Sequence, residues 1–267
     1  MSMSMSITNL KAATIVCIVA CLAGIAACGS KGPENGAANK TAENSNTELA
    51  ANSQKLTQPL KFLLIGDSLM REGFGPGLET SLTGYKDVSV VREGLYSTGL
   101  NKTDFFDWAA RADEMIGQNK PDVLIVTFGA NDGQGILDDQ GKAHDLGTDS
   151  WKEVYAQRVN RFLTRIAPKV KKVFWIGHPI PGNDKFVKKF SAMNPVYKAE
   201  SAKFPNVVYV DTWDSLALKG VYSRSLPDEN GRMQVARQGD GVHVTNFGGK
   251  LEAAAVMKVV LQNIDLK

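Results

Sequence analysis

A serine follows a short apolar run at Gly66-Asp67-Ser68-Leu69, and an aspartate stands three residues before a histidine at Asp240-Gly241-Val242-His243. These are the residue types of nucleophilic catalysis. A serine hydroxyl is a weak nucleophile near neutral pH. It needs a base to take its proton, and the base needs a partner that fixes its tautomer and stabilises its cation. Within one tight turn the Asp240 carboxylate can reach Nδ1 of His243 and leave Nε2 facing outward. A third segment, Gly129-Ala130-Asn131-Asp132, directly follows another apolar run, where an amide side chain can donate to a developing oxyanion. Each segment alone has an ordinary explanation: Ser68 as a helix cap, Asp240-Gly241 as a solvated turn, Asn131-Asp132 as turn residues. Their joint placement favours chemistry.

The elements that would position them can be read from periodicity. Phe62–Ile65, Val88–Val91, Val123–Phe128, Val173–Ile176 and Val207–Val210 are apolar runs without polar alternation, as expected of strands covered on both faces. Residues 103–118, 151–167 and 247–264 carry apolar side chains at near-helical spacing. Ser150-x-x-Glu153 predicts a capping-box start for the second of these, and Pro168 its end. The order is βαβαβαβαβα, which predicts a doubly wound α/β domain with a parallel sheet. Ligands in such sheets sit beyond the carboxyl ends of the strands. Ser68, Asn131 and His178 follow the first, third and fourth strands, so all three are expected on one rim. Residues 221–236 break the pattern, and Asn230-Gly231 predicts a turn within a hairpin or flap.

With these blocks in place, the chain resembles the SGNH, or GDSL-type, hydrolase superfamily. Gly66-Asp67-Ser68-Leu69, Gly129-Ala130-Asn131-Asp132 and Asp240-Gly241-Val242-His243 match its first, third and last blocks, in order, across residues 60–250. The resemblance implies a three-layer α/β/α fold, a five-stranded parallel sheet wound as in flavodoxin. It implies Ser68 as nucleophile, His243 as base and Asp240 as its orienter, with no cofactor. It also implies an oxyanion hole made of the Ser68 N–H, a second-block glycine N–H and the Asn131 side chain. The second block departs from the family pattern. Gly99 is the expected donor, because Ser97-Thr98-Gly99-Leu100 looks like a tight turn leading into a helix. Gly94 and, in an ungapped reading from the strand, Ser97 are the alternatives.

Residues 1–27 read as a secretory signal: Lys11 is the only charge and Ala12 to Ala27 is almost wholly apolar or small. The run ends Ile25-Ala26-Ala27-Cys28, which resembles the lipobox of bacterial lipoproteins and implies cleavage before Cys28 and acylation of its thiol. Cys17 and Cys21 would leave with the signal, so no intramolecular disulfide is expected. Residues 28–58 then read as the lipidated cysteine and a flexible tether, poor in large apolar residues, and residues 59–267 as one hydrolase domain. The 267 residues carry a net charge of +3, which falls to +2 without Lys11. There is no polybasic block suited to nucleic acid.

The remaining candidates are weaker. His178, in Gly177-His178-Pro179, is a candidate substrate contact or a loop residue. His144 is expected on the surface. Asp138, Asp139 and Asp145 share a loop, but their spacing does not match a calcium-binding hand, and no metal is expected. Trp108, Trp151 and Trp175 read as core, as does Trp213 by default, with sugar stacking as the alternative for Trp213 because it follows the fifth strand. The expected protein is an exported bacterial lipoprotein on the periplasmic or outer-membrane face, tethered to membrane by its lipid. It would act as a serine esterase that removes acetyl or other short acyl groups from a small-molecule or glycan ester such as O-acylated cell-envelope carbohydrate. Two other readings stay open: an O-acyltransferase that hands the acyl group to a surface glycan, and a non-catalytic carbohydrate-binding lipoprotein.

Overall fold

The structure, a computed structural model, describes residues 55–267. The signal segment, Cys28 and the tether up to residue 54 lie outside the described residues. The domain begins earlier than residue 59: Leu56–Thr57 pairs in parallel with Ile264–Asp265 near the other end of the chain, and Leu56 packs on the core.

Five strands form one sheet: β1 (Leu60–Gly66), β2 (Val88–Gly94), β3 (Val123–Thr127), β4 (Lys172–Ile176) and β5 (Val207–Val210). Their order is β2-β1-β3-β4-β5, with every pairing parallel. Strand order reverses between β1 and β3, the place where a doubly wound sheet opens a crevice for ligands. Gly66 is in register with Gly94 on one side and Thr127 on the other, so three strands end level and their following loops lie side by side.

Alternation along the strands divides the core. Phe62, Leu64, Ile125 and Phe174 point to the face covered by α2 (Phe74–Thr83) and α6 (Asn246–Asn263). Leu63, Ile65, Val126 and Trp175 point to the other face, covered by α3 (Trp108–Asn119), α4 (Asp149–Ile166) and α5 (Asp184–Ser201). A one-turn helix, α1 (Ser68–Arg71), directly follows β1.

The helix starts differ from expectation where side chains find better caps. Asp107 accepts from the N–H groups of Ala109 and Ala110 at 2.9 and 3.0 Å, so α3 starts at Trp108 rather than 103. Thr148 accepts from Trp151 N–H at 3.2 Å and starts α4 ahead of the expected Ser150–Glu153 box. Within the expected hairpin or flap over 221–236, Ser225–Pro227 pairs with Met233–Val235, while Val221–Tyr222 pairs back to Ala217–Leu218. Asp228 stabilises its turn by accepting from Asn230 and Arg232 N–H, both at 2.9 Å. Among the described residues no helix is long and apolar enough to cross a membrane.

Candidate active site

Ser68 sits at the sheet rim because Gly66-Asp67 leaves β1 through a tight passage. A Cβ on Gly66 would lie 2.3 Å from the Thr127 carbonyl oxygen, so only glycine fits beside β3. Asp67 then caps α1, accepting from Leu69 N–H at 2.9 Å. Its other oxygen accepts from Gly129 N–H at 3.2 Å and Ala130 N–H at 3.1 Å. One buried carboxylate therefore ties the β1 loop to the β3 loop. Burial pushes its pKa up to about 7, against the opposing pull of the Leu69 N–H and with further help from the charge of Asp132.

His243 arrives from the far end of the sequence. Gly241, at φ 71°, lets the chain turn sharply after Asp240. The Asp240 carboxylate accepts from Val242 N–H at 2.9 Å and His243 N–H at 3.0 Å, then meets Nδ1 of the His243 ring at 2.6 Å. His243 Nε2 lies 2.9 Å from Ser68 Oγ. Hydroxyl, imidazole and carboxylate thus form one continuous hydrogen-bonded chain across a separation of 175 residues. Asp240 is held below the ordinary carboxylate range: burial works against this, and the His243 ring and the two N–H groups outweigh it. The His243 loop is fixed from beneath by Arg237, 1% exposed, which donates to the Val242 carbonyl at 2.6 Å and the Ile180 carbonyl at 2.7 Å.

Asn131 follows β3 and donates from Nδ2 to the Thr98 carbonyl at 2.9 Å. The bond orients the amide and leaves its second N–H available. Gly99 is buried in the β2 loop against Asp132. The Asp132 carboxylate accepts from Leu100 N–H (2.8 Å), Asn101 N–H (2.9 Å) and the Tyr155 hydroxyl (2.7 Å). The structure therefore brings Ser68, Asp240 and His243 together, with Asn131 and the Thr98–Gly99 loop tied to one another at the same rim. Of the alternative second-block residues, Gly94 ends β2 with its carbonyl accepting from Arg71 at 3.2 Å, and Ser97 adopts the left-handed region at φ 62°.

His178 does not fit the role of a substrate contact. It is fully buried, stacked on Phe190 at 4.3 Å, with Nε2 2.7 Å from the Phe128 carbonyl. That contact requires an Nε2–H, so Nδ1 is bare, and it has no partner in the structure. Burial lowers the ring's pKa to about 4, so His178 is a neutral core residue bracing the β3 end. His144 is likewise not on the surface: it is 9% exposed and 3.0 Å from Asp138. Asp138 also accepts from Gln140 and Lys142 N–H, which makes it a turn-forming residue. Sequence reasoning missed the organising carboxylates Asp67 and Asp132, although each sits inside a recognised block.

The chain belongs to the DUF459 family, described as proteins of unknown function, which it matches over residues 61–259. No curated protein matches it. Among solved structures it is similar to Axe2, an acetylxylan esterase from Geobacillus stearothermophilus, at 19% identity and TM-score 0.56, covering 78% of this chain and 96% of that one. It is similar also to LAE5, an alpha/beta hydrolase enzyme from the metagenome of Lake Arreo, Spain, at 17% identity and TM-score 0.55, covering 77% and 96%. Structures of Axe2 include catalytic mutants altered at a serine, at an aspartate and at a histidine. These likenesses establish a shared fold.

Proposed function

We propose that this DUF459 chain is a serine esterase of the SGNH type, exported as a lipoprotein, that removes acetyl or other short acyl groups from O-acylated carbohydrate. The observation that carries the reading is the Ser68–His243–Asp240 chain of contacts at 2.9 and 2.6 Å on the strand-end rim. Ser68 Oγ attacks the ester carbonyl as His243 Nε2 takes its proton, and Asp240 stabilises the resulting imidazolium. The oxyanion is held by the Ser68 N–H, the Gly99 N–H and the free N–H of Asn131. His243 returns the proton to the departing alcohol, leaving an acyl-enzyme that water resolves by the reverse path.

Two things favour acetylated carbohydrate as the substrate. The fold is shared with an acetylxylan esterase whose catalytic mutants involve the same three residue types. The signal-like segment and Cys28 give an envelope address in the sequence. The test is acetate release from O-acetylated xylooligosaccharides together with labelling by a fluorophosphonate. Wild-type protein should do both, and Ser68→Ala should lose both while keeping its circular dichroism spectrum. Turnover that survives Ser68→Ala would refute the reading.

A further inference from the structure

We infer that Tyr96 and the groove beside it form a binding subsite for an uncharged sugar ring of a glycan substrate, next to the acylated one. This deepens the proposed function and rests on it. The groove, of about 860 Å³, opens along the β2 edge of the rim, lined by Arg71, Glu72, Arg92, Tyr96, Phe106 and Arg111. It starts where α1 ends, three residues after Ser68. Tyr96 lies in the β2 loop, two residues before the Thr98 carbonyl that holds Asn131. Its hydroxyl bonds to Glu72, and Glu72 also lies 3.5 Å from Gln238, in the loop that carries His243. Tyr96 is thus anchored between the nucleophile helix, the β2 loop and the histidine loop.

The ring is held as a platform. The Arg71 guanidinium lies over it, 4.9 Å from its centroid, yet Tyr96 remains 52% exposed. A large aromatic surface left in water beside a reactive centre, with its hydroxyl and one face already fixed, is suited to the apolar C–H face of a pyranose. The charge balance favours an uncharged ring over an anionic one. Arg92 pairs with Glu79 at 2.7 Å, and Arg111 pairs with Glu93 and Glu114 at 2.5 and 2.6 Å. Glu72 adds a fourth carboxylate against the three arginines of the groove, so its net charge does not draw in an acid, and its hydrogen-bonding groups suit hydroxyls.

The test compares wild type, Tyr96→Ala and Tyr96→Phe in the full chain on three substrates: an O-acetylated xylooligosaccharide, an acetylated galacturonate oligomer, and 4-nitrophenyl acetate, which has no neighbouring sugar. The KM for the oligosaccharide relative to that for the aryl ester should rise about three- to tenfold in Tyr96→Ala, the range of one aromatic contact. Tyr96→Phe should keep most of the wild-type ratio. An unchanged ratio in Tyr96→Ala overturns the subsite, as does an equal rise in Tyr96→Phe, which would make the Glu72 hydrogen bond the active feature. A rise confined to an acetylated galacturonate oligomer overturns the assignment to an uncharged sugar. Failure of wild type to cleave either ester would instead defeat the esterase reading itself.

Discussion

Gly99 and Asp132 are packed so closely that a Cβ on residue 99 would fall 2.0 Å from Asp132 Oδ1. The carboxylate cannot give way easily, because two backbone N–H groups and the Tyr155 hydroxyl hold it. The contact explains why the β2 loop needs glycine there: the loop wraps a buried acid that orders the neighbouring β3 loop as well.

Gly99→Ala should therefore destabilise the domain by about 1–3 kcal/mol, the usual cost of overpacking, and lower turnover by displacing the β2 loop. Urea unfolding and ester hydrolysis check the two effects. A variant with wild-type stability would show that Asp132 can move aside.

Asp240→Asn separates geometry from charge. The amide oxygen can still accept from Val242 and His243 N–H, so the turn should persist. Its NH2 would then face His243 Nδ1, donor toward donor, and favour the tautomer that puts the proton on Nε2, where Ser68 needs an acceptor. Turnover should fall about a thousandfold, somewhat less than the roughly 10⁴-fold loss where such a carboxylate is buried, since the Asp240 side chain is 47% exposed and water can compete. Steady-state kinetics with an unchanged thermal midpoint is the expected pair of results.

Two buried carboxyl groups predict how stability follows pH. Burial raises Asp67 and Glu252 to about 7, Glu252 despite the opposing charge of Arg237. Between the unfolded carboxylate range near 4 and about 7, the folded chain holds protons that the unfolded chain has released. Stability from this source is highest at the acid end, falls as pH rises through that window, and levels off above it. Each group contributes a slope of at most about 1.4 kcal/mol per pH unit. On the other side, Asp228 is held below the ordinary range, first by the Arg232 N–H and then by the Gln234 amide, so its contribution is lost as pH drops below that range. Denaturant unfolding from pH 4 to 8 checks the slope, and Glu252→Gln should make it shallower.

The sheet was legible because its strands are continuous apolar runs, and all five appear where those runs lie. Helices α2 and α5 were harder to read. Helix α2 opens with Phe74-Gly75-Pro76-Gly77, a sequence suited to a turn. Its second glycine is explained only by a neighbour distant in sequence, since a Cβ on Gly77 would come within 2.9 Å of the Gly249 carbonyl of α6, while a Cβ on Gly75 would strike the Met70 carbonyl at 1.7 Å. Helix α5 carries Pro195 in its interior, a residue that ordinarily argues for a helix end. At the site, residues defined by chemistry were legible: a serine, an aspartate three before a histidine, an asparagine after a strand. Roles defined by burial were not. His178 shares its rim position with Asn131, and only tertiary packing against Phe190 and Phe128 removes it from reach of a ligand.

Asn131→Ala tests the last member of the proposed oxyanion hole. Two consequences compete. The Thr98 carbonyl loses its 2.9 Å donor, a local cost of about 1 kcal/mol for one neutral hydrogen bond at a part-buried position. The transition state loses the second amide N–H, a loss of about 3–4 kcal/mol where such a donor points at the oxyanion. If Asn131 only buttresses Thr98, the variant should lose a little stability and a few-fold of kcat. If its free N–H meets the oxyanion, kcat should drop by about a hundredfold or more with KM nearly unchanged, because the ground-state carbonyl makes the bond less well than the tetrahedral oxygen. The second outcome is expected: a side chain already held by one hydrogen needs no reorganisation to present the other. A kcat within about fivefold of wild type would remove Asn131 from the reaction and leave it as a brace of the β2 loop.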